Sequence, residues 1–200
     1  MGDARWGPPP EVITALRDRY ELQCFVETGT HMGDTSLWAA DHFARVVTIE
    51  LSNEYYVEAT LRFRGDPRIA LLEGHSPEIL AELLPSLPPS VFWLDAHYSG
   101  GPTAGSDYQC PLLDEIATIA ADLDRHFVMI DDARLFITGV EPRYRASDWP
   151  TLPAIITALC AQHPMSITLF EDVILAVPES YGTEVSLLLT SLGVQFFTLR

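Results

Sequence analysis

The chain has no lysine; all twelve of its basic residues are arginine. That absence excludes a Schiff-base nucleophile, a lysine-held pyridoxal phosphate and a P-loop. A general base must come from histidine, tyrosine, cysteine or a carboxylate. Positive charge is scarce as well: 12 basic against 28 acidic side chains leave a formal charge of -16, with no basic stripe to offset it. Such a surface repels a phosphate backbone, so nucleic acid is not an expected partner. Cysteine is sparse, and Cys24, Cys110 and Cys160 lie far apart without CxxC or Cys/His spacing. Neither a disulfide framework nor a zinc site follows, and reduced thiols are expected. No run approaches the roughly 18 apolar residues that a spanning helix needs, and the opening MGDARWGPPP lacks an apolar signal region. The expectation is a soluble, cytoplasmic protein with no membrane partner. Repeats and low-complexity segments are absent too.

What is present is a patterned, apolar chain. Two hundred residues at 48% hydrophobic content suffice for one domain spanning 1–200. Residues 1–9 read as a flexible lead ended by Pro8, Pro9 and Pro10, after which Val12, Ile13, Leu16 and Tyr20 fall at helical spacing. Short, nearly continuous apolar runs follow at 24–28, 45–51, 69–73, 90–95 and 126–131, as strands buried on both faces require. Helical patterns separate them at 35–44, 53–63, 77–87 and 111–123, with Pro77 and Pro111 at first helical positions. This alternation predicts an α/β fold, a doubly wound and mostly parallel sheet. A polar loop to about 150 and a helix at 151–162 come next. ITLFEDVILAVP then splits at Glu171-Asp172 into an antiparallel hairpin closing one sheet edge, and the final LGVQFFTLR is a candidate further strand.

In a doubly wound sheet, ligands bind beyond the carboxyl ends of the strands, where the strand order reverses. The turn after the first strand is Glu27-Thr28-Gly29-Thr30-His31-Met32-Gly33, a Gly-x-x-x-Gly spacing rather than Gly-x-Gly-x-x-Gly. An acidic residue two before the first glycine suits a cationic group and repels a phosphate. The second strand ends in Glu50, where a carboxylate can accept hydrogen bonds from a ribose diol. The ligand therefore combines a ribose with a cationic head and no phosphate. E-x-G-x-x-x-G, an acid closing the second strand and Gly74-His75-Ser76 closing the third together resemble the class I methyltransferases that bind S-adenosylmethionine, over about residues 20–136. The resemblance implies a Rossmann-like methyltransferase fold with strand order 3-2-1-4-5. It also implies that Glu27, Thr28, Gly29, Thr30 and Gly33 surround the methionine part of the cofactor, with Glu27 near its amino group. Glu50 would hold the ribose hydroxyls, and His75 and Ser76 would lie by the adenine. Plainer roles stay open: turn-forming glycines, Ser76 as an N-cap and His75 as an exposed loop residue.

The fourth and fifth strands end in WLDAHYSGG and MIDDARLF. As neighbours about 4.8 Å apart, they can bring Asp95, Asp131 and Asp132 to one point, where a hard divalent cation would neutralise them. This arrangement resembles the magnesium-dependent O-methyltransferases, and the resemblance implies Asp95, Asp131 and Asp132 as ligands of Mg2+. Two substrate oxygens would chelate the metal, and the methyl would move in one displacement. The alternative is that Asp95 touches only the cofactor while Asp131 or Asp132 caps a turn or pairs with Arg134. The catechol-type enzymes place a lysine base shortly after the strand-four aspartate; this chain has Tyr98 there, which leaves His97 as the candidate base and His31 in reserve. A fourth metal ligand or a structural histidine are the other readings of His97. The glycine-rich segment 98–110 reads as a mobile loop over the site. Arg143, Tyr144, Arg145 and Trp149 in 137–150 suit a small acceptor, a polyhydroxylated or anionic natural product or sugar, unless the arginines are solvated ion-pair partners. A homodimer is compatible with the sequence. Two rival functions remain: a metal-dependent hydrolase or lyase using the aspartates, and a non-catalytic binding protein of methyltransferase fold.

Overall fold

Runs apolar on both faces need cover on both faces, and the chain supplies it with the helices between them. The computed structural model describes residues 7–100 and 103–199. In it α1 (Pro10–Tyr20) precedes β1 (Cys24–Thr28), α2 (Asp34–Ala40), β2 (Arg45–Glu50), α3 (Asn53–Phe63), β3 (Ile69–Glu73), α4 (Ser76–Leu83) and β4 (Ser90–Leu94). There follow α5 (Leu112–Ile119), β5 (Phe127–Ile130), α6 (Ala133–Thr138), α7 (Leu152–Leu159), β6 (Met165–Phe170), β7 (Val173–Pro178), α8 (Gly182–Ser191) and β8 (Phe197–Leu199). The expected helix 77–87 stops early and tightens into a 3-10 turn at Leu84–Ser86, because Pro85 has no N–H for the helical ladder. Ser76 is the first residue of α4 and His75 its N-cap, so Ser76 does not cap the helix as one reading expected.

The sheet has the order β3-β2-β1-β4-β5-β7-β6-β8. The first five strands are parallel, as expected, and the last three antiparallel. Glu171 and Asp172, with φ of 44° and 70°, make the two-residue turn of the β6–β7 hairpin. The hairpin does not close the sheet; β8 pairs with β6 beyond it and forms that edge. Two helices were not expected. α6 begins directly after Asp132, inside what reads as the approach to a polar loop, and α8 buries Val185 and Leu189 against the sheet.

Alternate residues of each central strand feed two cores. Val26, Val47, Phe92, Leu94 and Val128 pack with Leu80, Ile116 and Ile155, while Phe25, Val46, Trp93 and Met129 pack with Ile13, Leu16, Ala39 and Leu189. The register places Thr28 opposite both Ile49 and Leu94, and Leu94 opposite Ile130. The residues that follow, Gly29, Asp95 and Asp131, therefore emerge side by side. Cys24, Cys110 and Cys160 carry free thiols. Among the described residues, no helix is long and apolar enough to cross a membrane.

Candidate functional site

A cleft of about 650 Å³ runs along these strand ends. It brings together Glu27, Gly29, Thr30, Gly33, Glu50, His75, Ser76, Asp95, His97, Asp131 and Asp132. Thr28, expected at the cofactor, lies behind the wall instead: it is fully buried and its hydroxyl accepts the Asp95 N–H at 3.2 Å. Gly7, expected in the flexible lead, lines the cleft, and residues 1–6 lie outside the described residues.

The turn after β1 requires its glycines for reasons internal to the protein. A Cβ on Gly29, at φ +86°, would stand 2.4 Å from the Asp95 carbonyl oxygen, and one on Gly33 would stand 2.6 Å from the Phe63 ring. His31 also sits at positive φ, 48°, and its N–H donates to Glu50 Oε2 at 2.8 Å. The Ser52 N–H donates to the other Glu50 oxygen at 2.8 Å, so Glu50 fastens both loops that frame it. Glu27, 2% exposed, accepts the Ser36 hydroxyl at 2.5 Å and the Thr48 hydroxyl at 2.7 Å. Since the Thr48 proton is committed to Glu27, the 2.6 Å contact between Thr30 and Thr48 has Thr30 as donor. Burial pushes the Glu27 carboxyl up to about 7 against the pull of these hydroxyls, with the Glu50 charge adding to the rise.

The other end of the cleft is balanced by charge. His97 stands between two carboxylates, with Nε2 3.0 Å from Asp132 Oδ2 and Nδ1 3.4 Å from Asp95 Oδ1. Burial alone would lower its pKa, but the Asp132 hydrogen bond and the Asp95 and Asp132 charges outweigh it and raise it. The second Asp132 oxygen accepts Arg134 at 2.6 Å, and Arg134 also pairs with Asp172. Burial raises the Asp132 carboxyl too, yet His97 and Arg134 overcome this and hold it below the usual range. Asp95 and Asp131 go the other way: burial and like charge lift Asp95 well above its ordinary value and Asp131 to about 6. Asp131 accepts the Asp132 N–H at 2.8 Å.

Three carboxylates are the right kind of donor for a hard divalent cation. Their placement does not collect them: His97 occupies the space between Asp95 and Asp132, and Arg134 takes the remaining Asp132 oxygen. Among the described residues, no group of three or more His, Cys, Asp or Glu is arranged to hold a metal ion. Asp132 pairs with Arg134, one part of the alternative to metal ligation.

The two loops over the site are tied together. Gln109 accepts the Arg145 N–H at 2.7 Å and the Trp149 indole N–H at 3.3 Å. Arg145 turns to Asp148 and the Asp107 carbonyl, as the ion-pair reading had it, while Trp149 is buried against His97 and Phe136. Arg143 and Tyr144 line the cleft with Tyr108, the guanidinium 4.8 Å from the Tyr144 ring centre. Gly101 and Pro102 of the glycine-rich segment lie outside the described residues. Sequence reasoning missed Ser36 and Thr48, the partners of Glu27, and Glu115, which accepts the Ser76 hydroxyl at 2.5 Å. The available signal for Glu115 was an acid on the apolar face of α5, level with Leu112, Ile116 and Ile119.

No family model matches the chain, and no curated protein matches its sequence. Solved structures do resemble it. An O-methyltransferase of Bacillus cereus in complex with S-adenosylhomocysteine shares 15% identity, covering 89% of this chain and 84% of its own, with a TM-score of 0.61. A Klebsiella pneumoniae protein assigned as an O-methyltransferase gives 15%, 89%, 83% and 0.59. A Staphylococcus aureus protein assigned as a caffeoyl-CoA O-methyltransferase gives 15%, 88%, 86% and 0.57. Identity this low speaks for the fold alone, and the chain shares the fold of these structures.

Proposed function

We propose that the chain is an S-adenosylmethionine-dependent methyltransferase that acts, as one domain, on an oxygen of a small hydroxylated acceptor. The observation that carries this reading is a cleft passing Glu27, Glu50, Asp95 and His97, whose half around Glu27 and Glu50 is lined, among the described residues, by no arginine. Buried carboxylates there suit an ammonium, a ribose diol and a sulfonium, and repel a pyrophosphate. Likeness to a methyltransferase holding S-adenosylhomocysteine supports it. In this reading Glu27 faces the amino group, Glu50 the ribose, and His75 and Ser76 the adenine. The sulfonium methyl is transferred in one displacement while His97 takes the acceptor proton on Nδ1, which requires the acceptor hydroxyl to displace Asp95 from its 3.4 Å contact, and Asp132 stabilises the imidazolium through Nε2. Arg143, Tyr144 and Tyr108 at the far end favour an anionic or polyhydroxylated acceptor.

Magnesium on Asp95, Asp131 and Asp132 is a separable second reading. It is favoured by the three carboxylates at adjacent strand ends, where burial first and like charge after it push Asp95 and Asp131 up, and it requires Asp132 to release His97 and Arg134. Isothermal calorimetry with S-adenosylhomocysteine tests the first reading: affinity at or below about 100 μM supports it, and no heat at roughly millimolar ligand sinks it. A chelator tests the second. Unchanged methyl transfer after chelation, or full activity in Asp131→Asn with Asp132→Asn, removes the metal and leaves the methyltransferase standing. Metal-dependent turnover without the cofactor would instead favour a hydrolase or lyase.

A further inference from the structure

We infer that Glu115, acting through Ser76, is the positioning residue that makes this site select a nucleobase carrying an amino group at its six-position. The inference rests on the methyltransferase reading above. Glu115 is 1% exposed and projects from α5 among core residues, where a carboxyl needs hydrogen bonds to be tolerated. Its Oε1 accepts the Ser76 hydroxyl at 2.5 Å, so the carboxylate on α5 holds a hydroxyl proton from the start of α4.

Ser76 lines the cleft, and its hydroxyl caps no helix. A hydroxyl has one proton and two lone pairs. With that proton held by Glu115, Ser76 can meet a ligand only as an acceptor, so the ligand group facing it must donate. The six-amino group of adenine donates; the six-oxo group of hypoxanthine accepts and would confront lone pair with lone pair. A site built around such a hydrogen bond rejects the mismatched group strongly, because a buried polar atom is left unpaired.

The test compares affinities for S-adenosylhomocysteine and S-inosylhomocysteine by calorimetry at pH 8.5. Burial holds the Glu115 carboxyl up near about 7, so the carboxylate is ionised there. Wild type should prefer the adenosyl ligand by roughly 50-fold or more. In Glu115→Gln the amide can donate to Ser76 and free its proton for the cleft, so the preference should fall at least about tenfold. Ser76→Ala, which removes the acceptor without altering the α5 face, should lose the preference too. An unchanged ratio in Ser76→Ala, or in a cooperatively folding Glu115→Gln, overturns the inference, as does equal weakening of both ligands. Wild type binding both ligands equally overturns it alone, whereas wild type binding neither fails the methyltransferase reading.

Discussion

The two ends of the cleft handle buried carboxylates in opposite ways. Around Glu27 and Glu50 the partners are neutral: hydroxyls of Ser36 and Thr48, and backbone N–H groups of His31 and Ser52. Around Asp95 and Asp132 the partners are the charged or chargeable groups His97 and Arg134, and Arg134 is shared with Asp172. Neutral donors in fixed backbone positions hold a carboxylate in one orientation and leave its charge uncancelled, which suits recognition of a cationic, hydroxylated ligand. Shared ion pairs cancel the charge and can be exchanged one for another, which suits a group that must take up or give away a proton. In the proposed function, the first half recognises the cofactor and the second half carries the reaction.

His97→Asn strikes that division hardest. It removes the common partner of Asp95 and Asp132, and methyl transfer to acceptors in native extract should fall by about 10²–10⁴-fold. Affinity for S-adenosylhomocysteine, read by calorimetry, should change less than about threefold. A matching loss in both would show that the halves are one. Gly29→Ala acts where the halves touch, since its Cβ would meet the Asp95 carbonyl at 2.4 Å from a backbone at φ +86°. Stability in denaturant should drop by about 2–4 kcal/mol, and cofactor binding with it. Glu50→Gln keeps the size, loses the charge and sets its NH2 against one of the two backbone N–H donors of His31 and Ser52. S-adenosylhomocysteine should bind roughly tenfold more weakly, with turnover at saturating cofactor little altered; a fall in turnover instead would move Glu50 into the reacting half.

Most of this frame could be read from the sequence, because strand burial and strand-end chemistry are local. The runs 24–28 and 69–73 are strands as written, 45–51 and 90–95 overrun theirs by one residue at the end, and 126–131 overruns by one residue at both ends. Asp95, Asp131 and Asp132 could be placed together because parallel register puts neighbouring strand ends level. What escaped depends on contacts across long separations. Ser76 and Glu115 are 39 residues apart, and no local pattern pairs them. α8 was missed because TEVSLLLTS mixes β-branched and hydroxyl residues and buries only two side chains, so tertiary packing rather than propensity decides it. His97 was expected as a base from its position after Asp95, but that both its nitrogens face carboxylates follows from the left-handed Asp132 and the start of α6, neither of which the sequence announces.

The smallest expected effect separates the halves through pH. Glu27 is pushed from 4.5 to about 7, so between those values the folded chain retains a proton that the unfolded chain releases. Its contribution is complete below pH 4.5 and is lost as pH rises toward 7, at a cost to the folded state of at most about 3 kcal/mol. Glu27→Gln removes that titration, and it also gives up the charge-assisted bonds from Ser36 and Thr48. Those lost bonds lower its stability alike at every pH, so the difference from wild type should still be on the order of 1 kcal/mol more favourable at pH 8 than at pH 6, measured by urea unfolding at both values. Asp132→Asn should do the reverse at pH 8 and destabilise, because it strips His97 and Arg134 of a shared partner. If both substitutions moved stability in the same direction at pH 8, the carboxylates of the two halves would be compensated alike. The contrast between neutral and charged partners would then describe hydrogen-bond geometry without describing energy.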